Sequence, residues 1–351
     1  MIKVTAITPG YNAPSSRFRI RQYIPKLRTY NILVDEYPSL VPYDSRLPFV
    51  KGRMRMRYYG PFAVLWQMAK LLGTAPGAFA SWSSDVVWLN REMAGGYHIM
   101  ERLLKNPIYF DVDDAVWLNN PKTYKIAERS EGIIAGNSFI ADWFSKYNKN
   151  IFVVPTAVDT DRFCPNPGVR KDEKFIIGWT GSADGLRYVY EIEEHLNSFL
   201  KKHENTFIKV ICDKKPVFKF IVPERTIYIP WNPILENKEL QDVSVGIMPL
   251  PDNEWSRGKC SFKMLQYMSM AIPVIVSEVG MNSEVLAKSE VGFGVKKPEE
   301  WQDAMEALRS DQTLQRKMGG NGRALVEKEY SVVEAALKLS EIFKNYDTNI
   351  K

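Results

Sequence analysis

The chain of 351 residues is 45% apolar and 25% charged, the composition of a soluble globular protein, and its length suggests about two domains. Its three cysteines, Cys164, Cys212 and Cys260, lie far apart with no CxxC and no Cys/His cluster, which argues against a disulfide framework or a zinc site and fits a reducing cytoplasm. The net charge is +6, yet residues 1–80 alone carry twelve Lys or Arg against three acids.

In chain order, residues 1–10 lack the apolar core of a secretory signal and read as a strand, 3–8, running into a Pro-Gly turn. Further strands are expected at 31–34, 85–89, 108–111, 132–135 and 151–154, with helices such as 95–105 and 138–147 between them. The excess basic charge fits an anionic membrane, a polyanionic acceptor, nucleic acid or a plain solvated face. Arg53-Met-Arg-Met-Arg57, with Tyr58, Tyr59, Phe62 and Trp66 downstream, favours the membrane, because cations beside interfacial aromatics suit a headgroup layer. Residues 62–82 contain Gln67, Lys70, two glycines and Pro76, and Phe62, Leu65, Trp66, Ala69 and Leu72 recur at helical spacing. They read as a one-sided helix and not as a span.

Residues 155–168 are rich in proline and turn formers and read as a linker. Beyond it, strands are expected at 175–179, 207–212, 226–229, 245–250, 273–277 and 292–295, and a long helix carries Leu186, Val189, Ile192, Leu196 and Phe199 on one face. His98, His195 and His203 fall on expected helices away from strand ends, where packing or surface roles suit them. The alternation gives an α/β fold: two doubly wound parallel sheets facing each other across a cleft.

Ligands of such sheets sit at the carboxyl ends of strands, so the loops there are the candidate sites. Residues 257–284 stand out. Arg257, Lys259 and Lys263 surround a helix expected to open near Lys259 or Cys260, and Gly280 precedes another helix start at Met281, Asn282 and Glu284. Helix N-termini with added cations suit a phosphorylated ligand, and an ordinary α/β unit with a solvated basic turn is the alternative. The other strand-end loops are Ser15-Ser16-Arg17-Phe-Arg19-Ile-Arg21, Asp111-Val-Asp113-Asp114, and Gly178-Trp-Thr180-Gly181-Ser182.

With these motifs the whole chain resembles bacterial family-4-type glycosyltransferases of the GT-B fold, which move a sugar from a nucleotide diphosphate with retention of configuration. The resemblance rests on Ser15 to Arg19, Tyr109 to Asp114, Ala135-Gly-Asn137-Ser-Phe, Val154-Pro-Thr-Ala-Val-Asp159, Arg257 to Ser277 with Gly280 to Glu284, and the ending Gly322-Arg-Ala-Leu-Val-Glu-Lys-Glu-Tyr330. It implies an acceptor-side Rossmann-like domain over 1–165, a nucleotide-sugar domain over 166–330, and a last helix, 331–351, crossing back onto the first domain.

The resemblance further implies that Lys263 binds the donor diphosphate and that Gln266 stands where many members place a ribose-binding glutamate. Gly258 falls where the first glutamate of a paired motif is expected, so sugar contacts shift toward Asp252 or Glu254. Trp179 falls where an arginine is common, so the backbone amides of Thr180 to Ser182 contribute more and Arg257, Lys259 and Lys263 carry most of the charge neutralisation on the diphosphate. Thr180, Gly181, Ser182, Arg257, Lys259, Gly280, Met281, Asn282 and Glu284 complete the expected donor site, and Ser15, Ser16, Arg17, Arg19 and Arg21 the acceptor site. Asp113 and Asp114 are the catalytic candidates, orienting an acceptor hydroxyl or stabilising an oxocarbenium-like transition state. The same aspartates can cap a helix or chelate a divalent ion. No cofactor and no metal is expected beyond the nucleotide diphosphate sugar as co-substrate.

The expected activity is sugar transfer to a saccharide or lipid-linked hydroxyl in envelope polysaccharide, lipopolysaccharide or glycolipid synthesis. It is placed in the cytoplasm or at the inner face of the membrane, with no nucleic acid as partner. An epimerase of the same fold and a non-catalytic sugar-nucleotide-binding protein are the alternatives.

Overall fold

The structure, a computed structural model, describes residues 1–42, 45, 60–93, 98–166, 168 and 174–348. Arg46, Lys51, Arg53, Arg55, Arg57, Tyr58 and Tyr59 of the basic segment therefore lie outside the described residues. The chain forms two units, Met1–Thr156 with Val332–Lys351, and Ala157–Ser331.

The first unit holds β1 (Ile2–Thr8), β2 (Ile32–Pro38), β3 (Val86–Asn90), β4 (Ile108–Val112), β5 (Gly132–Ala135) and β6 (Ile151–Val153) in the order β2-β1-β3-β4-β5-β6. All neighbours are parallel. A sheet buried on both faces needs strands apolar throughout, and the fully buried runs VVWLN of β3 and GIIA of β5 meet that condition. Phe343 of the last helix, Val332–Thr348, packs edge-on against Trp88 and Tyr109 with ring centroids 5.2 and 5.7 Å apart. The last helix thus completes the core of the first unit.

The second unit holds β7 (Phe175–Gly181), β8 (Thr206–Cys212), β9 (Thr226–Pro230), β10 (Val245–Met248), β11 (Val274–Ser277) and β12 (Gly292–Val295) in the order β12-β11-β10-β7-β8-β9, again all parallel. Residues 157–165, assigned to the first domain from sequence, lie with this unit. Val158 bridges to Ser331, and Arg323 binds the carbonyls of Thr160, Phe163 and Ser269. The single long helix expected over 186–199 is two, Leu186–Glu191 and Glu193–Lys202, joined at the non-helical Ile192.

Two other expectations change. Within 95–105 only Met100–Leu103 forms a helical turn among the described residues. The apolar stretch 62–82 is helical as Gly60–Gly73 and Ala75–Ala80, but Phe62, Leu65 and Leu72 face outward.

The strand orders locate the sites. Chain direction across the sheet reverses beside β1 and β3 in the first unit and beside β7 and β10 in the second, and the crevice beyond the strand ends opens at such reversals.

Candidate functional site

In the second unit, β7 and β10 meet through two glycines, Gly178 opposite Gly246. Any side chain at Gly246 would run into the ring of Tyr267, so the helix Phe262–Ser269 lies close over the sheet. Tyr267 is fully buried, and its hydroxyl accepts the backbone N–H of Thr180 at 2.9 Å. Burial pushes the Tyr267 phenol well up, so it stays protonated. The Thr180 amide, expected to face the donor, is spent on this bond.

Lys263 reaches the end of β7. A methyl group on Gly181 would come within 2.6 Å of its Cε and within 2.9 Å of the Trp179 indole, so Gly181 is the gap that lets the lysine aliphatic chain pass. Trp179 is 2% exposed and belongs to the hydrophobic core, with its ring against Gly181 and Gly185. Where the resemblance leads one to expect an arginine, Trp179 supplies packing and not charge.

One helical turn on from Lys263, Gln266 is 2% exposed, and its side-chain Nε2 has no hydrogen-bond partner among the described residues. Positions i and i+3 share a helix face. Glu236, 4% exposed, receives the Thr180 hydroxyl at 3.4 Å through Oε1, and its Oε2 is likewise unpartnered. Burying such atoms without a partner costs ~1–3 kcal/mol each, so a ligand that supplies an acceptor to Gln266 or a donor to Glu236 recovers that cost.

The basic loop differs from its expectation. Asn253 caps a short helix, Glu254–Arg257, by accepting the Ser256 N–H at 2.9 Å. The following helix opens at Phe262 and not near Lys259, because Ser261 adopts a left-handed conformation at φ 49°. Arg257 is exposed and bound to Asp252 through two hydrogen bonds of 2.7 and 3.1 Å, which hold the Asp252 carboxyl below its usual range. The Lys259 ammonium lies 4.2 Å from the Trp255 ring centroid. Asp252 therefore serves Arg257 here.

Gly280, at φ 53°, sits where a side chain would collide with the Arg257 backbone at 2.8 Å. The glycine thereby lets the second helix, Met281–Lys288, begin directly beside the basic loop. Asn282, expected at the donor, is fully buried and receives Ser261 Oγ at 2.7 Å while donating to the Ser277 carbonyl at 3.0 Å. It ties the two helix starts together instead of facing a ligand. Met281 is 2% exposed and packs inward, whereas Glu284 is exposed.

In the first unit, Arg19 is 1% exposed and binds Asp111 at 2.8 and 3.2 Å and the Val154 carbonyl at 2.6 Å. Burial works against its charge, but Asp111 outweighs that and raises the Arg19 pKa further. Asp111 also receives the Trp88 indole N–H at 3.0 Å. Arg19, expected to meet the acceptor, is thus a buried strut between β4 and the end of β6.

Arg21 binds Glu36 at 2.8 and 2.7 Å and stacks 4.3 Å from the Tyr11 ring centroid. Arg17 lies 4.8 Å from the Phe18 ring centroid, and Ser15 and Ser16 are buried, with Ser16 Oγ unpartnered among the described residues. Asp113 and Asp114 converge on Arg91, which follows β3 at φ 61° and binds them at 2.7 and 2.5 Å. Partial desolvation opposes the Arg91 charge, but the two carboxylates outweigh it and raise the Arg91 pKa. The ion pair occupies both carboxylates, and the helical turn that follows, Val116–Leu118, takes no side-chain cap.

Sequence reading missed Arg91, Glu236 and Tyr267. The strand-end rule could have found Arg91, the residue directly after β3. Glu236 and Tyr267 carry no comparable signal, since only the folded chain brings them to Thr180.

Two doubly wound parallel sheets, one in each unit, define the two-domain Rossmann-like GT-B architecture. Residues 230–311, from the end of β9 to just past the helix Glu300–Ser310 that follows β12, match the family of group 1 glycosyl transferases, so the resemblance to GT-B glycosyltransferases holds in fold and, there, in sequence.

Solved structures agree in fold. The chain is similar to sucrose-phosphate synthase from Thermosynechococcus elongatus, at 13% identity and a TM-score of 0.71, over 99% of this chain and 100% of that one. It is similar to HepE of Anabaena in complex with UDP and glucose, at 11% identity and a TM-score of 0.70, over 98% and 100%. A glycosyltransferase from Rickettsia africae matches at 13% identity and a TM-score of 0.67, over 99% of each chain. No curated protein matches the chain.

Proposed function

We propose that the chain is a retaining glycosyltransferase that takes its sugar from a nucleotide diphosphate. The observation that carries this is the pairing, one helical turn apart, of Lys263 across Gly181 with the buried, unpartnered amide of Gln266. A ribose hydroxyl can accept from that amide while the ammonium meets the diphosphate. Arg257 and Lys259 add charge for the leaving group, whose negative charge grows in the transition state. Acceptor handling falls to the first unit, with Asp113 and Asp114 held in place by Arg91. UDP sugars are the first donors to test, because similar HepE was crystallised with UDP and glucose. The acceptor is a saccharide or lipid-linked hydroxyl of envelope polysaccharide, lipopolysaccharide or glycolipid synthesis, and the working place is the cytoplasmic side of an anionic membrane.

Calorimetry with UDP, GDP and ADP, followed by mass spectrometry of lipid-linked acceptors incubated with the preferred nucleotide's sugars, tests this. Transfer with retained configuration is expected. Sugar isomerisation without an acceptor would replace the reading with an epimerase, and nucleotide binding with no turnover would leave a binding protein.

A further inference from the structure

Helix Gly60–Gly73 is inside out. Phe62, Val64, Leu65, Met68 and Leu72 are 66, 61, 63, 52 and 66% exposed, while its one charged residue, Lys70, is 8% exposed. A helix on a globular surface ordinarily buries its apolar side. Phe79 of the adjoining helix Ala75–Ala80 is likewise 78% exposed. Single exposed apolar residues are unremarkable, but a run of this length on consecutive turns marks a docking face.

We infer that this face inserts into the headgroup layer of an anionic membrane. The inference rests on the membrane placement in the reading above and specifies which surface makes the contact. Charge selects the occupant. The helix contains no acid, and the fifteen sequence positions before it carry Arg46, Lys51, Arg53, Arg55 and Arg57 with no Asp or Glu. Such a run suits anionic lipid, whereas docking of a second copy would bring two cationic runs together. At 14 residues the helix is too short to span a bilayer, and among the described residues no helix is long and apolar enough to cross one. It is suited to lie in the plane of the interface.

The test is co-sedimentation of the full chain with phosphatidylcholine vesicles with and without phosphatidylglycerol, at low and high salt. Wild type and the triple variant Leu65→Ser, Met68→Ser, Leu72→Ser are compared, with circular dichroism and UDP titration as controls of fold and of the second unit. The expected result is salt-sensitive binding to the anionic vesicles that the variant weakens by roughly tenfold or more, with UDP binding unchanged. Wild type that ignores anionic vesicles sinks the membrane placement itself. A variant that binds like wild type overturns the choice of face and leaves that placement standing. Wild-type self-association that the variant abolishes, seen by sedimentation velocity, would assign the face to a second copy.

Discussion

Arg19 and Asp111 form a two-bond ion pair, 2.8 and 3.2 Å long, with both side chains about 1% exposed. The pair joins the loop after β1 to the end of β4, the first of which carries the expected acceptor residues. Removing the arginine leaves a buried carboxylate. Arg19→Ala is expected to lose ~3–5 kcal/mol of stability at neutral pH, measured by urea unfolding.

That loss should shrink in acid. Burial already pushes the Asp111 carboxyl up against the opposing pull of Arg19, so removing Arg19 pushes it up further. A raised folded pKa means the contribution is fully present below the unfolded value, ~4, and is lost as pH rises through the folded one. Unfolding midpoints of Arg19→Ala should therefore approach wild type as the pH is lowered from neutral toward about 4, and a constant gap would contradict the buried-charge account.

Lys263→Ala should lower donor turnover by ~10- to 100-fold, the worth of a charge-assisted hydrogen bond, while the fold stays intact. Steady-state kinetics with the preferred donor and a thermal melt check both halves. Gly181→Val should have a similar kinetic effect, because the added side chain occupies the path of the lysine Cε.

Gln266→Leu is expected to weaken nucleotide binding by about tenfold without destabilising the chain, since the amide Nε2 has no partner to lose. Calorimetry should show the larger loss for UDP than for inorganic pyrophosphate, which has no ribose. Equal losses would move Gln266 away from the ribose.

Asp252→Asn should tighten pyrophosphate binding a few-fold, because Asp252 holds Arg257 in an exposed two-bond pair. Its depressed pKa keeps that pair present above the ordinary carboxylate range and lets it go only as pH falls through the lower, folded value. The wild-type affinity should accordingly show no pH dependence arising from this pair between about pH 5 and 8.

All twelve strands stand within a few residues of where apolar runs placed them, because the central parallel strands, buried on both faces, leave a dense apolar signal and the edge strands repeat its spacing. The basic loop was legible as composition but not as geometry. Nothing in the sequence around Ser261 announced a left-handed residue, and that conformation moves the helix start past Lys259. Charges misled for a related reason. Arg19, Asp113 and Asp114 look available in a string of letters, and their partners, Asp111 and Arg91, are distant in the chain or carry no motif. The helix at 60–73 shows the same limit, since periodicity reveals a stripe and says nothing of which way it faces.

The packing of Phe343 on Trp88 and Tyr109 has a consequence for how the protein is made. The second unit ends at Ser331, so a ribosome releases all of it before the aromatic core of the first unit has its last member. The half that is begun first is finished last, and until then Trp88 and Tyr109 wait with an open flank. Chaperone demand during synthesis should consequently concentrate on the amino-terminal half.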